Sequence, residues 1–206
     1  MSIEIKLSKR RISYKIAMNF LNRRVSEIKK NKKRELLWIL EHPITYTAGI
    51  RHNNKEILDK KIKLIKTNRG GKITMHNPGQ KVVYFVLNLN KRKKDIRRLI
   101  NIIEKSIIQF LYLYKIDSFA DKKNIGIWVN DKADIKKIAA IGIRVSNWIA
   151  YHGFAINVDN DLLKYQDIIP CGILDKGVTN LKKINNQNYN TLSNVIVNNF
   201  AKNLET

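Results

Sequence analysis

Residues 136–158 read KKIAAIGIRVSNWIAYHGFAINV, and this stretch decides the architecture. Ile138–Val145 and Trp148–Val158 are both rich in β-branched and aromatic residues, so both are expected as strands. Val145-Ser146-Asn147-Trp148 joins them closely enough to pair them as a hairpin. The run from Val145 to Val158 is also the longest uncharged apolar stretch. It is shorter than the roughly 20 residues a spanning helix needs, and it contains Asn147 and His152.

The flanking sequence supplies the remaining layers. Val82–Leu89 (VVYFVLNL) reads as a central strand, Glu35–Leu40 and Ile125–Val129 as further strands, and Ile62–Lys66 as a half-buried edge strand. Residues 12–30 carry Ile12, Ile16, Phe20 and Ile28 at helical spacing. Residues 95–114 place Ile96, Leu99, Ile100, Ile103, Ile107 and Leu111 on one stripe, and residues 191–204 repeat the pattern with Leu192, Ile196 and Phe200. With no internal repeat and no Gly/Ser linker, the expectation is one α/β domain of α+β type over residues 1–206, a mixed β-sheet packed with helices.

Composition narrows the classes further. In 206 residues, 40 Lys and Arg against 17 Asp and Glu give a formal charge of +23. The chain holds 32 Ile, 29 Lys and 24 Asn, all types with A/T-rich codons, so codon drift accounts for much of that excess. A basic surface steers acidic partners whatever its origin. One cysteine excludes an intramolecular disulfide and a multi-thiolate zinc site, and it fits a reducing compartment. The first residues lack the apolar core of a secretory signal, so a cytoplasmic protein is expected.

Three segments carry chemistry. Arg69-Gly70-Gly71-Lys72-Ile73-Thr74-Met75-His76-Asn77-Pro78-Gly79-Gln80 concentrates three of nine glycines, one of four histidines and a cationic fork. Adjacent glycines let a ligand approach the main chain. The segment lacks the Gly-Lys-Ser/Thr of a phosphate loop. Cys171 sits at a Pro170-Cys171-Gly172 corner, where a thiol is better exposed than inside a strand; to act as a nucleophile it needs a neighbour that favours the thiolate. Lys136-Lys137 leads into Ile138-Ala139-Ala140-Ile141-Gly142, whose small residues leave room for an apolar chain.

These motifs, in this order from His42 to about residue 182, resemble the lipoyl(octanoyl) transferase family. The match includes His42-Pro43 with Tyr46-Thr47-Ala48-Gly49, then Arg69-Gly70-Gly71, Thr74, His76, Pro78-Gly79-Gln80 and Tyr84. It continues through Gly126-Ile127-Trp128-Val129, Lys137 with Gly142 and Arg144, His152-Gly153-Phe154-Ala155-Ile156-Asn157, and Pro170-Cys171-Gly172. Asn77 stands where the family usually has Gly, and Met75 where an aromatic residue is common.

The resemblance implies the fold of the biotin/lipoate-protein ligase catalytic domain and a Cys171/Lys137 dyad. Octanoyl would pass from acyl carrier protein through a thioester on Cys171 to a lysine of a lipoyl domain. The acceptors implied are lipoyl domains of 2-oxoacid dehydrogenase E2 subunits and the glycine-cleavage H protein. Neither metal nor ATP is implied, since the phosphopantetheine arm of the carrier presents the acyl group. The substrate is expected among Arg69, Gly70, Gly71, Lys72, Ile73, Thr74, Met75 and His76, with Ala140, Ile141, Gly142, Gly153, Phe154 and Ala155. Burying six internal methylenes contributes about 5 kcal/mol, enough for chain length to matter. Two other readings stand beside it. One is an ATP-dependent lipoate- or biotin-protein ligase, which needs no nucleophilic cysteine. The other is a basic nucleic-acid-binding protein, supported by the charge and by Lys91-Arg92-Lys93-Lys94 but by no recognition motif.

Overall fold

The computed structural model describes residues 3–173 and 176–205. The elements in chain order are β1 (Glu4–Leu7), α1 (Tyr14–Lys29), β2 (Leu36–Leu40), β3 (Thr45–Ala48), β4 (Leu64–Lys66), β5 (Ile73–His76) and β6 (Gln80–Asn88). They continue with α2 (Ile96–Leu113), β7 (Phe119–Ala120), β8 (Ile127–Asp131), β9 (Asp134–Ser146), β10 (Ile149–Asn157), α3 (Leu181–Ile184) and α4 (Leu192–Glu205). Seven strands form one sheet in the order β1-β2-β6-β10-β9-β8-β7, and β4-β3-β5 form a second. Pairing is antiparallel except for β1 with β2 and β3 with β4, so both sheets are mixed.

The expected hairpin is β9–β10, in register from Ser146↔Ile149 to Ala139↔Ile156. Asn147 (φ 52°) and Trp148 (φ 59°) both take the left-handed conformation at its tip. That geometry suits a two-residue turn between right-twisted strands. The strand β6 lies inside the sheet, with β2 on one side and the central strand β10 on the other, and Val83, Phe85, Val86 and Leu87 fully buried.

The two faces of the large sheet carry separate cores. On one, α1 packs Ala17, Leu21, Val25 and Ile28 over Trp38, Val86 and Tyr151. On the other, α2 and α4 close over Phe85 and Phe154 with Ile103, Ile107, Phe110 and Phe200. A third, smaller core under β3 and β5 gathers Tyr46, Ile73, Met75, Tyr165 and Ile168.

The α1 stripe expected from Ile12, Ile16, Phe20 and Ile28 needs correction. Ile12 precedes the Ser13 N-cap, and Ile16 is 62% exposed. The buried line runs through Tyr14, Ala17, Leu21, Arg24, Val25 and Ile28. A small alanine and a buried, ion-paired arginine occupy inward positions that apolar periodicity passes over. Arg24 is buried because Glu4 in β1 accepts from both of its terminal nitrogens, at 2.9 and 3.2 Å. On α2, Ile96 is 40% exposed and Ile100 half-buried, so Leu99, Ile103, Ile107 and Leu111 form the inward stripe. Strands β1, β3, β5 and β7 were not foreseen; each spans only two to four residues.

Candidate active site

A cavity of about 490 Å³ opens beside β9 and β10, within the range of small-molecule sites. The glycine segment roofs it. Arg69 is buried, and its Nη2 donates to Thr47 O and Thr47 Oγ1, each at 2.8 Å. Gly70 N donates to Ile143 O of β9, while Gly49 N and Arg51 N donate to Lys72 O and Gly71 O. The loop is thereby stitched to both sheets. Gly49 is required for this, since a Cβ there would sit 2.3 Å from Gly71 O. Arg69 has no carboxylate within ion-pair distance among the described residues. Burial pushes its pKa down, and the nearby Cys171 acts in the opposite sense.

Small residues form the floor. Ala140 pairs with Ala155, and Gly142 with Gly153, across β9–β10, and all four line the cavity. Gly153 cannot be larger: a Cβ would lie 2.0 Å from Val83 O. Just before it, His152 takes φ 68°, a left-handed value. Its ring stacks on that of its neighbour Tyr151 at 4.9 Å, so two adjacent side chains lie together where strand alternation would separate them.

The expected substrate segment divides by strand alternation. Thr74 and His76 of β5 line the cavity, as do Arg69, Gly70, Gly71 and Lys72. Ile73 and Met75 do not; they are turned into the third core and are fully buried there. Successive strand residues point to opposite faces, so the side chains of these two do not line the cavity. Asn77 also faces inward, where Nδ2 donates to Asp161 O at 2.7 Å and Oδ1 accepts from Asn160.

Cys171 and Lys137 meet in a narrow recess that they line together with Thr74, Gln80, Asn157 and Tyr165, and both also line the main cavity. Of the two adjacent lysines, Lys136 pairs with Asp131 at 3.0 Å at the surface. Lys137 is buried, with Nζ 3.2 Å from Ile125 O and 4.6 Å from the centre of the Trp128 ring. Its ammonium has no carboxylate partner among the described residues. Cys171 is half-buried, with φ 58°, on a short turn that begins at Pro170.

Around this recess the polar groups are fixed. Gln80 Nε2 donates to Asn157 Oδ1 (2.9 Å) and to Tyr165 OH (3.0 Å), so Gln80 Oε1 accepts from His76 Nδ1 at 2.6 Å. His76 Nε2 is then the ring's acceptor. Burial, with His42 adding to it, holds His76 neutral with a pKa of about 3. His42 Nδ1 donates to Ile12 O, and Tyr84 OH donates to His42 Nε2 at 2.8 Å. Burial lowers His42 to about 4, the Ile12 carbonyl opposing, and lowers His152 to about 3 with Arg69 and Arg144 adding to the effect. The cavity wall thus carries neutral imidazoles and phenols. Tyr14 and Tyr165 carry no sequence signal for the site, and Thr47 and Asn157 none beyond the family motifs that contain them, since each reaches the site from a different element.

This fold and this cavity define a catalytic domain of the lipoyl protein ligase A/B type, and the family model so described matches residues 13–201. A structure from an archaeal lipoylation system, described as a bi-partite lipoate protein ligase and its E2 lipoyl domain from Thermoplasma acidophilum, superposes with a TM-score of 0.75 at 15% identity, covering 100% of this chain and 84% of that one. At that identity the likeness speaks to the fold alone. The octanoyltransferase of Anaplasma phagocytophilum is 44% identical over 186 residues, 89% of either chain. That of a Wolbachia species from Brugia malayi is 42% identical over 183 residues, 88% of this chain and 89% of that one. The chain belongs to the octanoyltransferases of this family, and it is an acyltransferase. The nucleic-acid-binding reading is thereby set aside.

Proposed function

We propose that Cys171 takes octanoyl from octanoyl-acyl carrier protein and passes it to the lysine ε-amine of a lipoyl domain, residues 1–206 acting as one catalytic domain in the cytoplasm. The observation that carries this reading is that Cys171 and Lys137 line one narrow recess and also the acyl-sized cavity. In the first half-reaction, Cys171 Sγ attacks the donor's thioester carbonyl. The bond to the phosphopantetheine sulfur breaks, and that thiol leaves with a proton. In the second, the acceptor amine attacks the acyl-enzyme, an amide forms, and Cys171 is released as the thiol.

An ammonium at Lys137 favours the Cys171 thiolate, and a neutral Lys137 takes the proton from the incoming amine. Arg69, a buried cation beside the cavity, adds positive potential where an oxyanion develops. Thioester exchange is close to thermoneutral, so the sequence of steps needs neither ATP nor metal. The acceptors are lipoyl domains of 2-oxoacid dehydrogenase E2 subunits and the glycine-cleavage H protein.

The fold is shared with lipoate protein ligases, so the discrimination rests on Cys171. Incubation with octanoyl-carrier protein, followed by intact mass measurement, is expected to add one octanoyl group to the wild type and none to Cys171→Ala. Product formation by Cys171→Ala that requires free octanoate and ATP would establish the ligase mechanism instead.

A further inference from the structure

The half-turn that presents Cys171 is unusual in its backbone. Cys171 (φ 58°) and Gly172 (φ 66°) are consecutive left-handed residues. A non-glycine residue held there is strained and persists only where its surroundings over-determine it. One residue supplies the surroundings on three sides. Glu56 lies in a short 3-10 turn (Asn54–Glu56) and is 5% exposed. Its main-chain oxygen accepts from Ile169 N at 2.7 Å, just before Pro170. Its Oε2 accepts from Ile73 N at the start of β5, and its Oε1 stands 3.1 Å from Lys72 Nζ.

Lys72 Nζ in turn lies directly against Gly172. A Cβ built on Gly172 would be 2.3 Å from that nitrogen and 2.7 Å from Glu56 Oε1. A buried carboxylate needs compensation, and here the compensating ammonium is the one that rests on the residue after the nucleophile. The side chain of Lys72 also lines the cavity beside Cys171.

We infer that Glu56 is a positioning residue for acyl transfer, holding the Lys72 ammonium against Gly172 so that the Cys171 corner keeps its attacking geometry. The inference rests on Cys171 being the nucleophile. Glu56→Gln keeps an acceptor for Ile73 N but releases Lys72. Lys72→Met removes the ammonium at a half-exposed position and leaves the Glu56 carboxylate uncompensated, so its folding is verified by circular dichroism, and Lys72→Arg, which keeps the charge, is the control.

The experiment is single-turnover formation of octanoyl-Cys171 from octanoyl-carrier protein, followed by mass, with steady-state kcat and KM alongside. Both variants are expected to slow acyl-enzyme formation and to lower kcat by about tenfold or more, with the donor KM within about twofold of wild type. Lys72→Arg restores most of the rate, and the double variant is no slower than the slower single variant. A wild-type rate in Lys72→Met overturns the inference. So does a raised donor KM with unchanged kcat, which would assign Lys72 to carrier binding, and so does a multiplicative double variant. Failure of the underlying reading looks different: the wild type itself would carry no octanoyl on Cys171.

Discussion

At the scale of single residues, the floor of the cavity is set by side chains that are nearly absent. Ala140 faces Ala155 across the hairpin within the cavity wall. Ala140→Leu would place an isobutyl group where about four methylenes of the acyl chain are expected. At ~0.8 kcal/mol per methylene, kcat/KM for octanoyl donor falls about a hundredfold. A butanoyl donor loses far less, and a chain-length series read by product mass checks this. The histidines make a second prediction. His42 is lowered to about 4, and His76 and His152 to about 3, against 6.5 when unperturbed. Unfolding at intermediate pH therefore takes up protons. Their contribution to stability is complete above about pH 6.5 and is lost progressively as pH falls toward 4 and then 3. Calorimetry at pH 5 in buffers of differing ionisation enthalpy is expected to show net proton uptake on unfolding.

Among the secondary elements, the β9–β10 hairpin shows both the reach and the limit of sequence reading. Its alternation of β-branched and small residues announced two strands, and the short Ser146-Asn147 link announced their pairing. Gly153, beside the left-handed His152, lies so close to Val83 O of the neighbouring strand β6 that no side chain fits, a constraint that no local pattern encodes. Gly153→Ala is expected to destabilise the protein by about 3 kcal/mol, the upper range for overpacking, measured by urea unfolding. The same distinction runs through the site. The Arg69–His76 segment stands out by its clustered Gly, Arg and His and Cys171 as the one cysteine, whereas Lys137, one of 29 lysines, is singled out only by the family resemblance. Glu56 was not legible, because it acts through partners brought near only by folding. The exposed face of α1 was misread for a related reason: Ile16 points outward while Tyr14, Ala17 and Arg24 point in. Alternation on β5, once that strand is known, explains why Thr74 and His76 reach the cavity and Met75 does not.

For the molecule as a whole, the +23 charge has a testable consequence for encounter with its substrates. If the carriers are acidic, association is electrostatically steered and salt weakens it. The kcat/KM for octanoyl-carrier protein is expected to fall several-fold or more between about 50 and 500 mM salt, within reach of stopped-flow measurement. With octanoyl-pantetheine, which lacks the protein carrier, the fall is small. Equal salt sensitivity for both donors would assign the effect to the chemistry of the site rather than to docking. Among the described residues, no helix is long and apolar enough to cross a membrane.

The bond from Gly70 N to Ile143 O carries one more consequence. Strand β8 pairs with β9 only as far as Ala139, so the outer edge of β9 beyond that point has no neighbouring strand among the described residues. Arg144 Nη1 also reaches Asn68 O there, and the loop before Gly71 lies along this margin. An uncovered sheet edge is a template for another chain. The loop that shapes the acyl site therefore serves as the sheet's guard against self-association, and any change that makes it looser for a bulkier acyl group trades specificity against solubility.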